Sequence, residues 1–335
     1  MSKTVKALIV NKEGFGKDTT TKVKVGETTI PNLQENDVEI KTKYSSVNYK
    51  DGLATTPTAG FIKKWPHIPG IDVAGTISKS RHDQFKEGDE VIVTGYDLGM
   101  NTSGGFGEYI RVPSNWAVHL PKGLTAKQSM SLGTAGLTAG LSIHALDSFR
   151  EYTGLKDIKS VVSGATGGVG SISVMLLSKL GSEVTAVTGK NDQSDFLHTI
   201  GASNILSREE LAKTARKPIG KSLWDVGVDV ASGEILSLLL TSLSPGGAVA
   251  CSGLVGGPSF ESSIFPFILR GNALIGIDSV EIPLKDKDHI WEHFAHDWVL
   301  EGLNKITKEV SLDNLEVEIK RILSGNQVGR VLVKI

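Results

Sequence analysis

The sequence predicts an α/β protein in two parts: a strand-rich first third that closes as a small barrel, then a doubly wound parallel sheet. Three observations carry this. Short alternating segments with turn residues between them fill the first third, strands and helices alternate from Ile158 onward, and a glycine-rich turn, Gly164–Gly170, lies between a strand and a helix. The length of 335 residues fits two domains at about 150 residues each.

Val38–Tyr44 alternates apolar and polar as a half-buried strand does, and Ala7–Val10, Asp72–Ile77, Glu90–Val93 and Phe106–Val112 read as further strands. Glu87-Gly88-Asp89 and Ser103-Gly104-Gly105 punctuate them. The character changes near Pro121. Thr125 and Gln128 have capping-box spacing, and a long helical stretch runs from there toward Phe149. Gly133, Gly136 and Gly140 inside it signal a break or a close approach of another backbone or a ligand. Strands Ser160–Ser163, Glu183–Val187, Val226–Val230, Ala248–Cys251 and Ala273–Ile277 follow, with helices Gly170–Leu180 and Glu234–Leu240 among them. The tail, Gly329–Ile335, returns to strand character and is expected to rejoin the first domain.

Composition excludes several classes of function. Hydrophobic residues are 39% and charged residues 22%, so disorder, collagen and coiled coil are out. Lys+Arg 36 against Asp+Glu 37 leaves a net charge of -1, with no general attraction to nucleic acid or an acidic membrane. The single cysteine, Cys251, cannot close a disulfide within the chain or furnish a multi-cysteine zinc site. Ala7–Val10 is too short for a signal-peptide core, and the apolar stretch around Leu236–Val255 is broken by Ser244-Pro245-Gly246-Gly247. A soluble, cytoplasmic protein is expected.

Strand Val161-Val162 leads into Gly164-Ala165-Thr166-Gly167-Gly168-Val169-Gly170 and then a helix. A helix N-terminus exposes unpaired N–H groups and a partial positive charge, and glycines let a pyrophosphate approach the backbone. Dinucleotide binding is expected here. The next strand ends Val187-Thr188-Gly189-Lys190-Asn191, without the acidic residue that an NAD-selective site places against the ribose hydroxyls. A hydroxyl, an open backbone and a cation suit the 2'-phosphate of NADP, and Arg208 offers a second cation.

With those residues the chain resembles the zinc-free quinone-oxidoreductase side of the medium-chain dehydrogenase/reductase superfamily. More narrowly it resembles the YhdH/YhfP family, which contains NADPH-dependent acryloyl-coenzyme A reductases. The likeness rests on Ser45–Asp51, Pro69–Thr76, Gly133–Gly136, Cys251–Leu254, Pro266–Gly271 and Gly276–Val280. It implies a GroES-like β-barrel catalytic domain split over 1–124 and 278–335, a Rossmann NADP-binding domain over 125–277, an active site in the cleft between them, and a homodimer. It further implies that Val169, Gly170, Ser171 and Ile172, with Gly164, Thr166, Gly167 and Gly168 of the same loop, lie at the pyrophosphate. Thr188, Gly189, Lys190, Asn191 and Arg208 would surround the adenosine end. Leu254, Ile268 and Ser279 would approach the nicotinamide side, with Asn326 and Gly52 also within reach.

Zinc relatives carry cysteine where this chain has Asn48, and His-Glu where it has Ile71-Asp72. His289, His293 and His296 fall at i, i+4 and i+7 of a possible helix and are read as a polar face. No catalytic or structural metal is expected. Without a Lewis acid, hydride addition to an activated alkene is easier than reduction of a simple ketone. Tyr49 and Asn48 are the candidate catalytic residues, a phenol to donate and an amide to hold a carbonyl oxygen. The expected reaction is NADPH-dependent reduction of acryloyl-CoA to propionyl-CoA. The alternatives are an NADPH:quinone oxidoreductase and a non-catalytic NADPH-binding module. Lys63 and Lys64, beside Trp65, are candidates for a cationic rim that meets coenzyme A phosphates.

Overall fold

The structure, a computed structural model, describes residues 2–14, 16–151, 153–214 and 218–335. In chain order the elements begin with β1 (Lys3–Glu13), β2 (Thr20–Ile30), β3 (Asp37–Ser46), α1 (Tyr49–Ala54), β4 (Asp72–Ser80), β5 (Glu90–Thr94), β6 (Tyr109–Pro113) and β7 (Ala117–His119). Next come α2 (Ala126–Phe149), β8 (Lys159–Val162), α3 (Gly168–Lys179), β9 (Glu183–Thr188), α4 (Ser194–Thr199), β10 (Asn204–Ser207), α5 (Arg208–Thr214), β11 (Trp224–Asp229) and α6 (Gly233–Thr241). The chain finishes with β12 (Leu243–Cys251), α7 (Phe265–Arg270), β13 (Ala273–Gly276), α8 (Leu284–Ala295), β14 (Thr307–Ser311), α9 (Leu315–Leu323) and β15 (Arg330–Lys334).

The chain divides into two compact units. The first holds the residues through Thr134, then Ser279–Val299 and Leu303–Ile335; the second holds Ala135–Asp278 and Leu300–Gly302. The first crossing lies at Thr134/Ala135, later than the expected 124/125, because the start of α2 makes its polar contacts with the first unit. The capping box at the head of α2 forms: the Gln128 carboxamide accepts from the Thr125 N–H at 3.0 Å, and the Gln128 N–H donates to the Thr125 hydroxyl at 3.2 Å. The break anticipated among the glycines falls at Gly133, whose φ of 56° and ψ of -158° interrupt the helix.

In the first unit the sheet runs β14-β15-β3-β4-β5-β7, with β6 also paired to β3. All these pairs are antiparallel except β14 with β15. The tail strand β15 does rejoin the first unit, pairing with β3 through Leu332↔Ser46 and Lys334↔Tyr44. β1 and β2 form a hairpin from Lys3↔Ile30 to Glu13↔Thr20. One core gathers Val5, Leu8, Ile30, Phe106, Leu315, Ile319 and Val333, and another Val38, Ile40, Val73, Ile77 and Val91. Burying these apolar faces is the main term holding the unit together, at about 25 cal/mol per Å² removed from water.

In the second unit six strands are all parallel, in the order β10-β9-β8-β11-β12-β13. Counted from β8 this is the doubly wound order 3-2-1-4-5-6, whose switch point lies between β8 and β11. Its central strands β8, β9, β11 and β12 are largely buried, and Val161, Val187, Trp224, Leu239 and Val249 belong to the core.

His67 joins the β1 edge of the first unit. Its backbone N–H donates to the Val10 carbonyl at 3.1 Å and its carbonyl accepts from the Val10 N–H at 3.0 Å, while its ring meets Trp65 edge-on at 4.8 Å. Burial pushes the imidazole down to about 4 from its usual 6.5. A histidine near 6.5 in the unfolded chain takes up its proton before the folded one does, so its contribution to stability is present above about pH 6.5. It is lost as pH falls toward 4, roughly 3 kcal/mol in all. His67→Phe keeps a ring and removes the proton. Urea midpoints measured from pH 7 to pH 4.5 should fall less steeply in this variant than in the parent; equal slopes would refute the assignment.

Candidate functional site

In the second unit the candidate nucleotide cradle grows from the C-terminal end of β8. Gly164 turns the chain at a φ of +57°, a left-handed conformation that favours glycine. α3 starts at Gly168, two residues ahead of the expected Gly170, with Gly167 as its N-cap. A Cβ on Gly170 would stand 2.2 Å from the Gly164 carbonyl oxygen, so only glycine lets the helix sit this close to the loop. The first N–H groups of a helix have no acceptor within it, and here they follow Gly164, Gly167 and a buried Thr166. Val169 belongs to that first turn. Ser171 donates back to the Gly168 carbonyl at 3.2 Å, and Ile172 is fully buried and anchors the helix on the sheet.

A polar staple that the sequence did not reveal holds this end of the sheet. Asp229, closing β11, is fully buried and accepts from the Ser163 hydroxyl at 2.6 Å and the Ser232 N–H at 2.8 Å. Ser163 in turn accepts from the Val230 N–H at 2.9 Å, tying the loop after β8 to the loop after β11 across the switch point. Burial and the neighbouring Asp229 push the Cys251 thiol up to about 11, which disfavours its thiolate form.

The expected adenosine-side residues come together at the end of β9. Thr188 is buried and its hydroxyl accepts from the Lys190 N–H at 3.0 Å. The pairing Ser207↔Thr188 brings Arg208, the first residue of α5, beside Gly189. A Cβ on Gly189 would stand 2.9 Å from the Arg208 guanidinium carbon, so the glycine makes room for that cation. Burial holds the Lys190 ammonium below its usual range, the Arg208 charge adds to this, and Asp192 opposes it. Asn191 opens the short turn that follows. Arg208 beside an open glycine, with its charge reaching Lys190, is an arrangement whose chemistry suits a dianion. Leu254 and Ile268, which resemble core residues in sequence, are 60% and 64% exposed. They share the surface with Val255, Ile264, Phe265 and Leu269.

In the first unit Asn48 and Tyr49 begin α1. Asn48 is buried. Its amide nitrogen donates to Asp72 Oδ2 at 2.7 Å, and its amide oxygen accepts from Arg330 at 3.4 Å. Only this orientation of the amide suits a carboxylate at one end and a guanidinium at the other. Asp72 also accepts from the Ser46 hydroxyl, the Thr134 hydroxyl and the Thr134 N–H. Arg330, 1% exposed, donates to the Ser131 carbonyl at 3.0 Å, the Val47 carbonyl at 3.2 Å and the Ser46 hydroxyl at 2.9 Å. Asp51 caps the start of α1 by accepting from the Asn48 N–H at 2.8 Å, and it takes the Ile71 and Gly70 N–H groups at 2.9 and 3.1 Å. Burial and the charge of Asp72 push the Asp51 carboxyl up to about 7, against those amide donors.

The Asn48 amide is thus committed at both ends, which makes it a positioning residue for α1. Tyr49 is 37% exposed on the first turn, and its hydroxyl makes no hydrogen bond among the described residues. Gly52 has a packing reason to be glycine: its missing Cβ would lie 3.0 Å from Leu323 of α9. Asn326 is exposed in the turn after α9 and donates to Ser324 at 3.1 Å, and Ser279 is buried where the chain re-enters the first unit. Lys63 and Lys64 are exposed. At the positions where zinc relatives keep thiolate and imidazole, the first unit offers an amide already bonded at both ends and the Ile71 side chain. That donor set does not fit zinc.

The model of the alcohol dehydrogenase GroES-like domain matches residues 34–122, and that of the zinc-binding dehydrogenase matches 168–296. The chain is 44% identical over 306 residues to the putative quinone oxidoreductase YhfP of Bacillus subtilis, covering 90% of this chain and 92% of that protein. It is 38% identical to the acrylyl-CoA reductase AcuI of Ruegeria pomeroyi, covering 98% of each. Among solved structures it is similar to the Salmonella enterica yhdH oxidoreductase in complex with NADP. The TM-score is 0.91 at 37% identity, over 98% of this chain and 99% of that one. Bacillus subtilis yhfP with NAD bound gives a TM-score of 0.92 at 41% identity, over 99% and 100%. A GroES-like first unit, a Rossmann second unit and this identity along nearly the whole chain lead to one assignment: the protein belongs to the zinc-free YhdH/YhfP family of medium-chain dehydrogenase/reductase oxidoreductases.

Proposed function

We propose that the protein reduces the activated C=C bond of a short α,β-unsaturated acyl thioester, acryloyl-CoA to propionyl-CoA, at the expense of NADPH and one proton. The observation that carries this reading is the 38% identity to an acrylyl-CoA reductase over 98% of both chains, joined to a donor set unfit for zinc. NADPH, when bound, would supply the hydride equivalent for the substrate's β carbon.

The protein's own residues bind, orient and polarise. The N–H groups at the head of α3, with Gly164, Thr166, Gly167, Gly168, Val169 and Gly170, would hold the pyrophosphate. Thr188, Gly189, Lys190, Asn191 and Arg208 would hold the 2'-phosphate end, and the paired cations there support NADP(H) over NAD(H). Tyr49, placed by the buried Asn48, would donate a hydrogen bond, keeping its proton, to the thioester oxygen as enolate charge develops. Water then supplies the proton to the α carbon.

A quinone acceptor is the second reading, favoured by the 44% identity to a putative quinone oxidoreductase. We also propose a homodimer. β13 ends the parallel sheet with an open edge, and Leu254, Ile264, Ile268 and Leu269 expose apolar surface in the same unit. No helix among the described residues is long and apolar enough to cross a membrane; a cytoplasmic location is part of the same proposal.

Three measurements check these proposals. Lys190→Ala should lower kcat/KM with NADPH about tenfold or more, as expected for a charged hydrogen bond of about 1.5–3 kcal/mol, and leave NADH almost unchanged. An equal loss with both cofactors would remove Lys190 from the 2'-phosphate. Acryloyl-CoA should be a better substrate than a truncated acrylate ester or any of a panel of quinones, with deuterium from labelled NADPH at the β carbon of the product. Deuterium at the α carbon, or turnover of quinones alone, would pass the assignment to the second reading. Light scattering should give a mass about twice 35.7 kDa, and a monomer mass would refute the dimer.

A further inference from the structure

We propose that His289 and His293 of α8 form a chelating site for one divalent transition-metal ion of the imidazole-preferring class, zinc or copper. The two residues stand four apart on α8 and so share a face. Their Nε2 atoms converge to 3.2 Å, with the rings 4.5 Å apart and almost perpendicular at 81°. Two imidazole nitrogens bound to one tetrahedral zinc at about 2.0–2.1 Å are themselves about 3.3 Å apart, so the spacing already matches a shared ion.

The surroundings favour the same use. His293 Nδ1 lies 3.2 Å from Asp297 Oδ2. That contact holds the Nδ1 proton and leaves the Nε2 lone pair toward His289, the carboxylate–histidine arrangement found behind metal-bound imidazoles. The His293 ring stacks on the buried Trp298 at 4.5 Å and 19°, which fixes its plane. Its side chain is still 25% exposed and His289 is exposed, so an ion can enter and water can complete its shell. His296, the third histidine of the run, pairs with Glu292 at 3.3 Å. The structure therefore resolves the run into a converging pair and a separate ion pair. The donors are not at the Asn48 and Ile71 positions of the zinc relatives, and the hydrogen bonds of the Asn48–Asp72–Arg330 network described above include neither histidine.

The test is calorimetric titration of the full chain, free of any affinity tag, with Zn²⁺ and then with Cu²⁺. One equivalent should bind in the micromolar range, Cu²⁺ more tightly than Zn²⁺, with Mg²⁺ at millimolar concentration failing to compete. His289→Gln and His293→Gln should each weaken Zn²⁺ binding at least tenfold, Asp297→Asn by a smaller factor, and His296→Gln not at all. Zn²⁺ should raise the parent's Tm and leave the two pair variants unmoved, while all variants keep the parent's metal-free Tm within a few degrees. Failure of the parent to bind below millimolar Zn²⁺, or undiminished binding by either pair variant, would overturn the proposal and leave a histidine–histidine hydrogen bond in its place.

Discussion

The first unit is organised around a buried guanidinium. Arg330 and its neighbours Asp72 and Asp51 are nearly or wholly removed from solvent, and charges taken out of water cost several kcal/mol each unless every donor and acceptor is met. Here they are met from distant parts of the chain: β3 through Ser46, the start of α1 through Asn48, β4 through Asp72, the head of α2 through Ser131 and Thr134, and β15 through Arg330 itself. Removing one partner of such a set leaves an uncompensated buried charge, which typically costs about 3–5 kcal/mol. The interruption of α2 follows from the same requirement. A Cβ at Gly133 would stand 2.3 Å from the Ser46 hydroxyl and 2.5 Å from Asp72, so the network is possible only because that residue is glycine with positive φ.

The second unit solves a similar problem with one charge. Asp229 is buried and balanced by hydroxyl and backbone donors, and what it secures is the relation between two loops at the switch point of the sheet. In both units a buried carboxylate serves as a fixed acceptor around which loop backbone is arranged. The groups proposed to act on cofactor and substrate are the N–H groups at the head of α3, Lys190, Arg208 and the Tyr49 hydroxyl. A protein without a Lewis acid depends on such oriented dipoles and donors, since they need no reorganisation as charge develops.

Much of this was legible in the sequence wherever the signal is local. The glycine loop, the missing acid after Val187, the alternating strands and the capping box at Thr125 each depend on residues a few positions apart. β2 gives little sequence signal because its alternation, Thr20–Ile30, is largely polar and only half-buried on its inner face. α9 is short, and only Leu315 and Ile319 mark its apolar buried side, which leaves its sequence signal weak. Asn48 looked free to hold a substrate carbonyl because its two partners lie 24 and 282 residues away. The i, i+4 spacing of His289 and His293 was visible, whereas the convergence of their nitrogens depends on side-chain rotamers that no spacing specifies.

The place of Arg330 in the chain also has a consequence for biosynthesis. The bond from Arg330 to Ser46 spans 284 residues. At ribosomal rates of about 5–20 residues per second, the β3 edge waits roughly 15–60 s for β15 to emerge. The second unit, Ala135–Asp278, is almost entirely contiguous and is complete well before that. Through this interval the half-made first unit holds Asp51 and Asp72 without their cation and an unpaired strand edge, the kind of surface that invites association between nascent chains. The strand that closes the first unit therefore follows Ala135–Asp278 of the second unit in the chain, and a chain cut before Arg330 lacks the counter-charge as well as β15.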